Sequence, residues 1–311
     1  MSKKLICLLL ILGFTGSAFA VDNNWTGMID TDWADLSNWD QFAVPSLTDT
    51  TNIGIGIGSL PGTVVIGVGT SAGMRGGNAG KRTGTGTTAD PYINGTADLT
   101  ILGNLTNTMF LTIGREIGDV GAVHVDGSGG DGVWNLTKNI VVGRNGSGTL
   151  NVINGGTVDN STTIGAYDGQ LQVPAQANGI GRVYVSGGST LSTGRIGIPA
   201  WGGGAHGGDG EIHISGASTV TATSLHWGDG GTSFIPTNGD FIMIYDTSQL
   251  ILRGFSMPHA LDAIGDGLIV GFGAATVYAY YDGANTIVEI PEPMTIALLG
   301  LGGLFLRRRK K

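Results

Sequence analysis

The sequence predicts an all-β protein whose middle is a parallel β-helix, a β-solenoid with a cap at each end. Three observations carry that reading: 57 glycines among 311 residues, a short segment pattern recurring along residues 113–228, and apolar-x-apolar alternation inside each recurrence. The glycines keep no Gly-X-Y period, which excludes a collagen-like chain. Hydrophobic residues make up 41% and charged residues 13%. That apolar content can offset the entropy of ordering, so the composition is not that of a disordered chain.

The recurrence begins each time with an aliphatic-Gly pair. One unit runs Val142-Gly143, then Gly148-Thr149-Leu150-Asn151-Val152, then Gly155-Gly156-Thr157-Val158. The next runs Ile164-Gly165, Gly181 to Val185, and Gly187 to Leu191; a third runs Ile196-Gly197, Gly210 to Ile214, and Gly216 to Val220. A looser copy starts at Ile113-Gly114, and the last start is Trp227-Gly228. Fixed segments with variable glycine-rich insertions are what a solenoid needs, because each unit adds one coil and touches only its neighbours. Three short strands per coil, broken at Gly-Gly and Asn-Gly corners, give a roughly triangular cross-section. The expected register stacks Val123, Leu150, Val183 and Ile212 inside, with His124, Asn151, Tyr184 and His213 outside. An antiparallel β-sandwich or jelly roll is the competing architecture.

Residues 21–55 read as an N-terminal cap, 56–231 as the glycine-rich solenoid and 232–290 as a C-terminal β cap. In the last span, Phe241–Tyr245 and Leu250–Leu252 read as a hairpin around Asp246-Thr247-Ser248-Gln249. Leu268–Val270, Thr276–Tyr281 and Thr286–Val288 add strands, with a turn at Asp282-Gly283.

Both ends carry targeting chemistry. Residues 1–20 join basic Lys3 and Lys4, an apolar run from Leu5 to Phe14, and the small-x-small pattern Ala18-Phe19-Ala20. This is the layout of a signal peptide, read by signal peptidase and cut after Ala20. Cys7 is the only cysteine and lies in that leader, so the mature chain carries no disulfide framework. Residues 291–311 join Pro291-Glu292-Pro293, the apolar stretch Met294–Leu306, and the cluster Arg307, Arg308, Arg309, Lys310 and Lys311. The apolar stretch can act as a short membrane helix, and the cluster holds the C-terminus in the cytoplasm. Thirteen apolar residues are marginal for a permanent span, which suits a transient anchor.

That tail closely resembles the PEP-CTERM sorting domain. The resemblance implies handling by an exosortase-type membrane protease and life in an envelope with exopolysaccharide. The repeats, and the opening Trp25, Trp33, Asn38-Trp39, Val44-Pro45, Asp49 and Ile53, resemble β-helical PEP-CTERM proteins and autotransporter-like passenger domains. An autotransporter ends in a long membrane β-barrel, for which this chain has no room.

Charge narrows the partners. Seven of the 16 basic residues lie in the two terminal segments, leaving nine against 23 acidic residues in 21–290. Such a body lacks the clustered Lys and Arg that nucleic-acid binding requires, and it repels polyanions. Asp126, Asp131, Asp159, Asp168, Asp209 and Asp229 are scattered in glycine turns, where aspartate bonds its own backbone. No catalytic, cofactor or metal residues are assigned. Gly129-Gly130-Asp131-Gly132 and Gly207-Gly208-Asp209-Gly210 faintly echo calcium-binding turns but lack their tandem period, so calcium stays a minor alternative. The expected function is an exported, non-enzymatic surface or matrix protein, structural or adhesin-like and associated with exopolysaccharide. The alternative is a polysaccharide lyase or glycosidase on the same scaffold.

Overall fold

The computed structural model describes residues 22–26, 30–55, 62–81, 95–161, 169–176, 178–198, 208–226, 240–254 and 256–291. Over these residues the chain is mostly β-structure wound into a solenoid of about seven turns. Strands β1 (Asp22–Asn24) and β2 (Thr50–Ile55) lead in. The turns follow as β3 (Gly62–Ile66), β4 (Ser71–Met74) and β5 (Gly76–Lys81), then β6 (Thr96–Ile101), β7 (Asn104–Asn107) and β8 (Leu111–Ile113). Next come β9 (Val120–Asp126), β10 (Val133–Leu136) and β11 (Ile140–Val142), then β12 (Ser147–Ile153), β13 (Thr157–Asn160) and β14 (Gln170–Gln172). The fifth and sixth turns are β15 (Ile180–Val185) with β16 (Thr190–Gly197), and β17 (Asp209–Ile214) with β18 (Thr219–His226). The seventh is β19 (Phe241–Ile244) with β20 (Gln249–Arg253), and β21 (Ile269–Gly271) begins another.

Three faces result. On the first, β3, β6, β9, β12, β15, β17, β19 and β21 pair in that order, all parallel. The other two faces merge at β16, whose first half pairs with β13 and second half with β14. The expected register holds: Leu150 pairs with both Val123 and Val183, and Val183 with Ile212. The column extends to Leu99 and Val64 on one side and Ile242 and Ile269 on the other, each at most 1% exposed. Burying each such side chain contributes about 1.5–3 kcal/mol, and repetition of that term holds turn to turn. Parallel pairing removes the sandwich alternative.

Polar groups at the corners and within strands bond along the solenoid axis. Ser189, Ser218 and Ser248 stack at one corner. Gly155 N–H donates to Ser189 Oγ at 3.1 Å, Ser189 N–H to Ser218 Oγ at 3.1 Å, and Ser218 N–H to Ser248 Oγ at 3.2 Å. Asn78 Nδ2 donates to Asn52 Oδ1 at 2.8 Å, and Asn52 Nδ2 to Asn24 Oδ1 at 2.9 Å. The Ser189 and Ser218 N–H groups and the Asn52 and Asn78 amides are buried donors that would otherwise cost free energy to desolvate.

Part of the N-terminal segment lies across the first turn. Trp33 N–H donates to Val65 O at 3.0 Å, and Val65 N–H donates to Thr31 O at 2.7 Å, covering the open edge of β3. Trp25, Trp33 and Trp39 pack edge to face with centroids 5.0 and 4.8 Å apart, buried against the core.

The hairpin expected around residues 246–249 is not formed. β19 pairs in parallel with β17 and β21, and β20 in parallel with β18, so this segment is one more turn. The alternation of Phe241–Ile244 is the same in either architecture, and Asp246 at φ +46° turns a solenoid corner as readily as a hairpin. The cap beyond it holds helix α1 (Met257–Gly265), which the sequence reading missed, and strands β22 (Tyr278–Tyr281) and β23 (Asn285–Glu289). Strand β23 joins β20 and β22 antiparallel, forming a three-stranded edge. Helix α1 starts with Pro258 in its first turn and buries only Ala260 and Ala263, too weak an apolar stripe to read beforehand.

Candidate functional site

The outward side of the first face gathers the densest cluster of chemistry among the described residues. Register places Arg182 beside Glu211, and Tyr184 beside His213. Arg182 Nη2 lies 2.6 Å from Asp209 Oδ2, and Arg182 Nε lies 3.2 Å from Glu211 Oε2. The same Glu211 oxygen is 2.9 Å from His213 Nε2, and His213 Nδ1 is 3.0 Å from the Tyr245 hydroxyl. His213 stacks on Tyr184 at 4.9 Å and meets the edge of Phe241 at 5.5 Å, while Tyr245 stacks on Phe272 at 4.6 Å.

Burial works against the Arg182 charge, but the flanking Asp209 and Glu211 outweigh it and hold the guanidinium above its ordinary value. Burial, with Tyr184 and Glu211 beside it, holds the Tyr245 phenol above its usual range and therefore neutral near pH 7. The contacts Tyr245–His213–Glu211–Arg182–Asp209 form one continuous chain of hydrogen bonds and ion pairs. It also ties the turn of β15 to those of β17 and β19.

No protein-family model, no curated protein and no solved structure matches this chain.

Most residues singled out in the sequence are found apart. His124 and His213 point outward as expected, in a column that is half-buried. His124 Nε2 lies 3.4 Å from Asp98 Oδ1 and its Nδ1 3.2 Å from Asn151 Nδ2. Asp126 accepts Ser128 N–H at 2.8 Å and Asp159 accepts Ser161 N–H at 2.9 Å, the local turn bonds expected of them. Asp209 departs from that pattern through its pairing with Arg182. The two calcium-like turns lie apart, with Asp131 before β10 and Asp209 opening β17, three turns on. Among the described residues no three His, Cys, Asp or Glu side chains gather as a metal site. Trp134 is buried, with Nε1 donating to Asn107 Oδ1 at 2.9 Å, so it offers no stacking face.

Asp168, Trp227 and Asp229 lie outside the described residues, as do Ala18, Ala20, Glu292, Pro293 and Arg307–Lys311. Pro291 closes the described chain directly after the cap. Among the described residues no helix is long and apolar enough to cross a membrane. The sequence reading missed the Arg182–Glu211 pair, although the column of Val183 and Ile212 already implied it one residue upstream.

Asp240 adds a pH dependence. It is 2% exposed, and Gly210 N–H donates to its Oδ1 at 2.7 Å. Burial pushes its carboxyl up to about 6, against the pull of the Gly210 bond and with the Asp209 charge adding to the rise. A folded value above the unfolded one stabilises the protein below about pH 4, and that contribution is lost as pH rises through about 6. Asp240→Asn keeps the acceptor without the charge. It should raise stability at pH 7 by about 1–2 kcal/mol and leave it unchanged at pH 4. Urea midpoints at the two pH values check this; an equal shift at both would refute it.

Proposed function

We propose that the chain is an exported structural or adhesin-like protein of the cell surface or extracellular matrix, with the solenoid as a rigid body associated with exopolysaccharide. The observation that carries this reading is the solenoid itself. About seven turns stack in register, and their outward side chains bond from turn to turn, so the fold builds length and surface in one step. Stacked strands at about 4.8 Å per turn make a rod about 34 Å long.

The terminal segments supply the route. Lys3, Lys4 and the apolar run ending at Ala18-Phe19-Ala20 direct export through signal peptidase. The apolar stretch Met294–Leu306, oriented by the basic end Arg307–Lys311, holds the chain in the inner membrane until an exosortase-type protease reads Pro291-Glu292-Pro293. Replacing Pro291, Glu292 and Pro293 together by alanine should leave a longer, membrane-bound form in place of the released one. Mass spectrometry of membrane and medium fractions reads this directly, and unchanged mass and release in the variant would count against the sorting role.

One observation favours a second reading, a polysaccharide lyase or glycosidase. The Tyr245–His213–Glu211 chain places a phenol, an imidazole and a carboxylate in hydrogen-bond reach, as proton transfer to and from a sugar requires. Release of reducing or unsaturated ends from soluble polysaccharides, lost in both His213→Ala and Tyr245→Phe, would establish it.

A further inference from the structure

The second face presents a different surface from the first. Thr157, Thr190 and Thr219 pair strand to strand in one outward column, and Asp159, Ser192 and Thr221 in the next. Gln249 and Glu289 carry the first column across the cap to Tyr278; Ile251 and Ile287 carry the second to Tyr280. The side chains of Thr157, Thr190, Thr219, Ser192 and Thr221 form no hydrogen bond to another described residue. Their outward groups repeat about every 4.8 Å from strand to strand. At the end of the strip, Tyr278 is 52% and Tyr280 42% exposed. From Thr157 to Tyr278 the strip spans about 24 Å.

Its charge is low and already committed. Asp159 Oδ1 accepts from the Ser161 backbone and hydroxyl, and Glu289 Oε2 accepts the Gln249 amide at 2.5 Å. What remains open to a ligand is a row of neutral hydroxyls ending in two tyrosine rings. On the first face, by contrast, Arg182, Glu211, His213 and Tyr245 satisfy one another.

We propose that this strip binds a neutral polysaccharide chain lying along the solenoid axis, with sugar hydroxyls on the Thr and Ser columns and sugar C–H faces on Tyr278 and Tyr280. A hydroxyl-rich polymer both donates and accepts, as an unpaired hydroxyl row requires. Its apolar ring faces suit exposed aromatic side chains such as Tyr278 and Tyr280. A polyanion is disfavoured, since residues 21–290 carry nine basic against 23 acidic side chains. The inference rests on the exopolysaccharide association proposed above and names the polymer class and the surface that takes it.

The test is affinity electrophoresis of the full chain through gels containing dextran, galactomannan, hydroxyethyl cellulose or alginate. At least one neutral polymer should retard the wild type, and added salt should not reverse it. The double variant Tyr278→Ala/Tyr280→Ala should weaken that retardation at least tenfold, as should Thr190→Lys/Thr219→Lys, while Phe272→Ala, an exposed ring off the strip, should not. Circular dichroism confirms that each variant is folded, and two separate pairs guard against one failing to fold. Retardation by no neutral polymer, by alginate alone, or in both double variants to the same degree as in the wild type overturns the proposal. A change of sedimentation without loss of retardation in the tyrosine variant overturns it in favour of a second copy adding to β22. Failure of export and surface retention would show separately, in the membrane and medium fractions. Loss of retention with intact binding, or the reverse, tells the two readings apart.

Discussion

Ile212→Asp should unfold the middle of the solenoid. Ile212 is fully buried and sits between Val183 and Ile242 in the inward column of the first face. The substitution removes about 2–3 kcal/mol of apolar burial. It also places a carboxylate where the neighbours above and below are hydrocarbon, and an unpaired buried charge adds several kcal/mol unless it takes up a proton. The total should exceed about 4 kcal/mol, beyond the range of ordinary substitutions. Limited proteolysis should then cut within strands β15, β17 and β19, which should resist cleavage in the wild type. His213→Ala, one residue on and facing out, should cost only about 1 kcal/mol, through loss of its bonds to Glu211 and Tyr245. An Ile212→Asp chain as resistant as the wild type would mean that the column does not hold the turns together.

Gly143→Ala should come close in effect, for a different reason. Gly143 closes the fourth turn's entry at φ +72°, where a side chain is strained. An added Cβ would lie 2.8 Å from Gly181 N and closer still to Ile180 O, both backbone atoms of the next turn. Rotamer changes cannot relieve a clash with backbone, so the turns must separate locally, at about 3 kcal/mol or more. Gly155 provides the comparison, since it has φ +82° but open space around its missing Cβ. Gly155→Ala should therefore cost only the conformational strain, about 1–2 kcal/mol. Equal urea midpoints for the two variants would show that inter-turn contact at Gly143 is unimportant.

The turns were legible because solenoid register is local. Once Leu150 and Val183 occupy the same slot of neighbouring units, period-2 alternation fixes which residues face inward along the whole strand. Outward neighbours such as Arg182 and Glu211 follow from the same slot. The seventh turn was hidden because β19 and β20 lack the glycine-flanked spelling of earlier units, and their alternation fits a hairpin equally well. Helix α1 was hidden because its inward side is two alanines. The surface chemistry was the least legible part, since Tyr245 reaches His213 only once their two segments stack as neighbouring turns. The exposed Tyr278 and Tyr280 acquire meaning only from the antiparallel edge that lines them up with Thr157, Thr190 and Thr219.

Parallel stacking also sets how the protein bears a load. Its inter-turn hydrogen bonds run along the long axis, so tension applied at Asp22 and Pro291, beyond opposite ends of the stack, meets them one turn at a time. Each turn that peels away frees roughly 30 residues, about 100 Å of slack chain, while the turns behind it stay folded. A body of this kind yields in steps and absorbs work at each one, and the antiparallel edge formed by β20, β23 and β22 is the clasp that must open before the C-terminal turns can follow.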